Sequence, residues 1–229
     1  VIDTESQYSH FWGSIGRQYR PDVPDFAERI KGTTLESIYS NWFAHLKDQL
    51  PEITRKLNDF ELQMEYNYIR GTREFIISLK EEGIHICLDT NGGAWNPDIE
   101  QLLMNTDLVL LDCKQFNDTR HEELTGRSNA QTLHTAKWLE ENGKPFWLRY
   151  VLVPGISDFE EDIRALGEHF KGYRMIQRVE ILPYHTLGKH KYESLGWEYK
   201  LEGTPSNTPQ QLDRAVNLFK EYFDCVILN

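Results

Sequence analysis

The stretch VEILPYHTLGKHKY, residues 179–192, decides the fold. An apolar run from Val179 to Leu182 stops at Pro183, Tyr184 and His185, and Gly188 with the basic trio Lys189, His190 and Lys191 follows. A buried strand that delivers a histidine at its C-terminal end, ahead of a glycine-containing loop, fits the ligand-binding end of an α/β barrel. Taken alone, His185 also reads as a hydrogen-bonded structural histidine, and the trio as a solvated loop.

Working back from this stretch to Gly71, short apolar runs alternate with helical patterns. The runs are IHICLD, LVLLD, FWLRYVLVPG, RVEILPY and the terminal CVILN. The helices are TREFIISLKEEG, ending at Gly83 as a C-cap, then Pro97 to Met104, Thr132 to Glu141, Glu160 to Phe170 and Pro209 to Tyr222. Continuous apolar strands separated by helices predict a parallel sheet buried on both faces. The acidic run DFEED, residues 158–162, reads as a helix N-terminus whose dipole favours acids.

Residues 1–70 differ in character and read as almost wholly helical. Tyr8, Phe11 and Trp12, then Ile38, Trp42, Phe43 and Leu46, then Leu57, Phe60, Leu62 and Met64 recur at helical spacing. Thr34 serves as an N-cap, with Ser37 a poor substitute for Glu or Gln three residues on. Pro21, Pro24 and Pro51 separate the helices. The expected division is a helical domain over 1–70 and an α/β domain over 71–229.

Net charge is −11, with 36 acidic against 25 basic residues. A phosphate backbone or anionic membrane rewards a basic face, so the charge argues against broad nucleic-acid or membrane binding and leaves room for a local basic pocket that takes a small anion. No apolar run approaches the roughly 18–20 residues of a spanning helix. The opening VIDTESQYSH is no signal peptide, and a start without Met reads as a fragment or a processed end. Three dispersed cysteines, Cys87, Cys113 and Cys225, point to a reducing, cytoplasmic setting.

Parallel α/β folds bind ligands beyond the carboxyl ends of their strands. Those ends carry Asp89, Thr90, Asn91, Gly92 and Gly93; Asp112, Cys113 and Lys114; Arg149 within its run; and Tyr184 with His185. Such a set suits a zwitterionic ligand, its carboxylate on the cations and its ammonium, or a bound metal ion, on the aspartates. Simpler roles stand beside this. Asp89 suits capping of the following turn, Asp112 and Lys114 suit a structural ion pair, and Arg149 suits pairing with either acid.

From about Arg73 onward the chain resembles the pyruvate formate-lyase activating enzymes, a radical S-adenosylmethionine (radical SAM) family. The segments that carry the likeness are KEEGIHICLDTNGG, TDLVLLDCKQFND, WLRYVLVPGISD, VEILPYHTLGKHKY and EYKLEG. The resemblance implies an α/β fold, a partial (β/α) barrel, binding S-adenosylmethionine and a 4Fe–4S cluster. It implies a glycyl-radical enzyme such as pyruvate formate-lyase as partner. Carried over by position, Asp89, Thr90 and Asp112 form a small cation site near the ligand's carboxylate. Lys114 lies at its methionine end, His185 near its adenosine, and Arg149 lines the site. The family's C-x3-C-x2-C loop and GGE loop are absent, together with the first two barrel strands. No catalytic residue is assigned, and an incomplete barrel is expected, its open edge covered by the N-terminal helices or a second chain.

Residues 1 to about 85 resemble a different family. VIDTESQYSHFW is similar to the segment after the nucleophile loop of haloacid dehalogenase-like phosphatases, and the next helices resemble that family's cap. There Thr90 is the phosphate-binding hydroxyl, Lys144 and the acids of 158–162 are candidates for its later motifs, and the nucleophilic Asp is missing. Three functions are therefore carried forward. One is a radical SAM activating protein, inactive alone for want of cluster cysteines. The second is a phosphatase or phosphomutase, and the third a non-catalytic binding or scaffold protein.

Overall fold

The computed structural model describes residues 2–3, 5–31, 33, 35–65, 67–186, 199 and 201–229. Thr34 and the Gly188–Lys191 region of the opening stretch lie outside them. The chain divides into two compact units, one of Val1–Ile69 with Thr186–Glu202, the other of Arg70–His185 with Gly203–Asn229.

In the first unit, β1 (Ile2–Asp3) pairs antiparallel with β2 (Asn67–Tyr68), two short strands in a region expected to be almost wholly helical. Between them lie α1 (Glu5–Tyr19), α2 (Phe26–Arg29), α3 (Leu35–Trp42) and α4 (Leu50–Leu62). Their apolar faces close over one core of Trp12, Ile15, Phe26, Ile30, Ile38, Phe43, Ile53 and Leu57. Phe11 stacks on Phe60, and Phe26 packs edge-on to Trp42.

The second unit is a five-stranded sheet in the order β3 (Cys87–Thr90), β4 (Leu108–Asp112), β5 (Phe146–Leu152), β6 (Ile176–Pro183), β7 (Val226–Leu228). Every neighbour pair is parallel. Helix α5 (Thr72–Glu81) leads into β3 and is followed by Gly83 at φ 71°. The crossovers are α6 (Pro97–Asn105), α7 (Asp118–Thr125) with α8 (Ala130–Glu141), α9 (Glu160–Phe170) and α10 (Pro209–Lys220). Helix α7 is an addition to the sequence reading.

This strand order decides where a ligand can sit. Crossovers between parallel strands are right-handed, so strands laid down in one direction place all their helices on one face. The other face is left for side chains and ligands, as inside a barrel. Strand β5 shows the consequence. Phe146, Leu148, Tyr150 and Leu152 are fully buried on the helix side, while the alternate Trp147, Arg149 and Val151 are half-buried on the other. Burying each large apolar side chain contributes about 1.5–3 kcal/mol, so the helix-side row anchors the sheet. It joins Leu111, Val179, Ile181, Leu139, Leu166 and Phe219 in one core. The unit is thus an incomplete parallel (β/α) barrel. No helix among the described residues is long and apolar enough to cross a membrane.

Candidate ligand site on the open face

Residues two apart on a strand share a face, and partners in register share it across strands. Asp112 is in register with Arg149, and Arg149 with Glu180. Trp147 is in register with Leu110 and Arg178, and Leu110 with Asp89. Asp89, Asp112, Arg149, Arg178 and Glu180 therefore lie on the open face.

Arg149 is the hub. Its Nη1 donates to Asp89 Oδ2 at 2.5 Å, and its Nε lies 3.2 Å from Asp112 Oδ1. The second contact is electrostatic, since both Nε and Oδ1 are buried without a hydrogen-bond partner. Lys114 Nζ donates to the other Asp112 oxygen at 2.6 Å. Side-chain exposure is 18% for Arg149 and 13% for Asp112 but 61% for Asp89, so Asp112 is the enclosed acid and Asp89 the open one. Burial opposes the Arg149 charge, yet the Asp89 hydrogen bond and the Asp112, Asp89 and Glu180 charges outweigh it and hold the guanidinium above its ordinary pKa. Deeper along the face, Arg178 pairs with Glu180 at 2.9 Å and lies over the Trp147 ring at 3.2 Å. Three acids are thus matched by three bases.

Asp89 does not cap the turn after β3. Thr90 Oγ1 accepts from Gly92 N–H and Asn91 Oδ1 from Gly93 N–H, each at 3.0 Å. Thr90 alternates with Asp89 and directs its side chain to the helix side. Helix α8 clamps this turn, Thr132 donating to Asn91 O at 2.7 Å and Thr135 to Gly92 O at 2.9 Å. Gly92 sits at φ 62°, where a Cβ would meet Leu111 at 2.9 Å, so the turn requires glycine. His185 stands exposed, two residues beyond the end of β6. The structure therefore joins Asp89, Asp112, Lys114 and Arg149 in one network, turns Thr90 to the opposite face, and leaves His185 five residues beyond Glu180, the β6 residue in register with Arg149.

The sequence reading missed the braces of this network. Buried Gln115 donates to Ile156 O and accepts from Asn117 N–H, both at 3.0 Å, tying the loop after β4 to the loop after β5. Buried Ser157 accepts from Val153 N–H at 2.8 Å and donates to Val151 O. Polar residues directly beyond apolar strands were the available signal. The acids at 160–162 do begin α9, where they also hold Arg120, Arg164 and Arg214. Lys144 lies ahead of β5, at the other end of the sheet from the site, and donates to Met104 O and Thr106 O.

An open parallel half-barrel with a charged inner face at its strand ends defines the class. Residues 45–167 match the Radical SAM superfamily, over half of the chain, and the chain belongs to that superfamily. Over 152 residues it is 43% identical to the pyruvate formate-lyase 1-activating enzyme of Escherichia coli (strain K12), covering 66% of this chain and 62% of that one. It is 44% identical over 155 residues to the pyruvate formate-lyase-activating enzyme of Streptococcus mutans serotype c, covering 63% and 59%. The chain thus spans about three fifths of the length of the curated relatives it matches. Among solved structures, a domain of pyruvate-formate lyase-activating enzyme from Bacteroides vulgatus aligns with TM-score 0.57 at 18% identity, over 69% of this chain and 88% of that one. Streptococcus suis SuiB bound to S-adenosylmethionine aligns with TM-score 0.52 at 17% identity, over 69% and 36%. At such identities the likeness is one of fold. These matches lend no support to the phosphatase-cap resemblance of residues 1–85.

The superfamily implies S-adenosylmethionine and a 4Fe–4S cluster. The cluster needs thiolates in close array. Cys87 lies on β3 at one sheet edge and Cys225 just before β7 at the other, four strand steps of about 4.8 Å apart along the sheet. Cys113 is buried between them, its thiol pushed up to about 12 by burial and by Asp112. Among the described residues no group of three or more His, Cys, Asp or Glu side chains is placed to hold a metal ion. The chain's own cysteines do not fit the cluster. The open face, by contrast, presents charges of both signs, Asp89, Asp112 and Glu180 against Arg149, Lys114 and Arg178.

Proposed function

We propose that this chain carries the ligand-binding half-barrel of a glycyl-radical-enzyme activating protein, and that alone it does not perform the radical reaction. The observation that carries the reading is 43% identity over 152 residues to an enzyme named for activating pyruvate formate-lyase. In this reading Lys114 and Arg149 receive the carboxylate of S-adenosylmethionine and Asp89 and Asp112 its ammonium. His185 lies toward the adenosine, and of the small cation subsite that the resemblance implies over Asp89, Thr90 and Asp112, the two carboxylates face the ligand while Thr90 is turned away. The domains are a helical segment over 1–70 and the partial barrel within 71–229, with Thr186–Glu202 grouped with the helical unit, working in the cytoplasm with a glycyl-radical enzyme as partner. The placement of the cysteines favours one second reading, a non-catalytic protein that binds the adenosyl ligand or the partner without turnover.

Anaerobic reconstitution with iron and sulfide tests this, followed by iron counting, absorption spectra and equilibrium dialysis against S-adenosylmethionine. The expected result is ligand binding with no cluster. Four irons per chain with a spectrum that responds to S-adenosylmethionine would overturn the inactivity. Absence of ligand binding would overturn the site.

A further inference from the structure

We propose that Arg149 is the built-in counter-ion of the Asp89–Asp112 pair, so that the free chain takes no metal ion between these two carboxylates. The argument rests on the ion-pair geometry and extends the site reading above by stating what fills the cation subsite before any ligand arrives.

Two carboxylates presented by neighbouring strands on one face repel unless a positive charge joins them. Asp112 is largely enclosed, which makes an uncompensated charge there costly. Arg149 supplies the charge from the next strand, reaching Asp89 Oδ2 with Nη1 and Asp112 Oδ1 with Nε. Lys114 neutralises the remaining Asp112 oxygen. Two acids then face two bases, and a divalent ion would enter a site that is already neutral. The Thr90 hydroxyl, the third oxygen of the candidate cation subsite, is turned to the other face and accepts from Gly92 N–H.

The two Arg149 contacts differ in kind. The one to Asp89 is a directed hydrogen bond, whereas Nε and Asp112 Oδ1 approach to 3.2 Å without one. Arg149 can therefore turn from Asp112 toward an incoming carboxylate without losing a hydrogen bond there. A zwitterion enters by such an exchange, its ammonium replacing the guanidinium at Asp112. A bare cation brings no anion to draw Arg149 away. Arg149 thus selects carboxylate-bearing zwitterions over free metal ions.

The test is a manganese titration of the full chain, with free ion read by electron paramagnetic resonance. The proteins compared are wild type, Arg149→Met, Arg149→Lys, the double variant Arg149→Met with Asp89→Asn, and Asp112→Asn. Arg149→Met is expected to gain one manganese site per chain, at least about tenfold tighter than any in the wild type, because two carboxylates then lack their counter-ion. The double variant should lose it, and Arg149→Lys should match the wild type. An Arg149→Met protein that binds no more tightly than wild type overturns the proposal. If circular dichroism shows that Arg149→Met does not fold, wild type against Asp112→Asn decides. A wild-type site that Asp112→Asn removes overturns the proposal, and identical titrations support it. The probe is bare manganese, so failure to bind S-adenosylmethionine sinks the ligand reading and leaves this result standing.

Discussion

Cys113 and Cys87 show how one residue type takes its chemistry from its place in the sheet. Cys113 follows the last residue of β4 and is fully enclosed, so burial and the adjacent Asp112 charge raise its thiol from 9.0 to about 12. Cys87 on the edge strand is exposed, yet partial burial and then Asp89 raise its pKa too. The thiolate is the reactive form. Native-state alkylation at pH 8, read by mass spectrometry, should label Cys87 and Cys225 and spare Cys113 until denaturant is added; labelling of Cys113 at the rate of the other two would refute its burial. The sign of the pH effect follows. Folded Cys113 keeps its proton to a higher pH than the unfolded thiol does, so the folded state binds more protons between the two values. Its contribution to stability is full below pH 9.0 and is lost as pH rises toward about 12.

Helix α9 and the end of α10 are coupled by a close approach rather than by charge. Glu160 on α9 pairs with Arg164 and Arg214, but these partners are substantially exposed, so solvent screens the pairs and they add little. Gly167 has no such screening, because a Cβ added there would press into the Tyr222 ring just beyond α10. Gly167→Ala should cost about 1–3 kcal/mol in urea unfolding, through displacement of one helix from the other, despite alanine's better helix propensity. A neutral or stabilising result would show that Tyr222 moves freely. The elements themselves were largely legible. Apolar runs located β4 to β7 closely, and Pro97 and Pro209 marked helix starts that Asn96 and Thr208 cap. Helix α7, DTRHEELT, was not legible because only His121 is buried and no apolar stripe marks a face. The site was half legible. The Asp112–Lys114 pair follows from spacing along one strand, whereas the reach of Arg149 to Asp89 spans three strands and depends on register. The turn role of Thr90 depends on a backbone reversal that periodicity cannot show.

At the scale of the whole molecule, two cores of different construction share one chain. The helical unit closes on aromatic side chains, with Phe26 and Phe43 at its centre. The sheet unit closes on a β-branched and leucine-rich layer between strands and helices, with Leu148 and Ile181 fully buried. Neither cluster includes a buried residue of the other. Truncating a fully buried Phe or Leu to Ala costs about 2–5 kcal/mol, a large part of any single unit's stability. Local opening free energies report that loss where it occurs. Phe43→Ala should therefore speed amide exchange in α1, α3 and α4 and leave β4 to β6 protected, while Leu148→Ala should do the reverse. Segment-resolved hydrogen exchange by mass spectrometry measures both. Faster exchange in both units from either substitution would mean that the cores unfold as one, and the division of the chain into two folding units would be wrong.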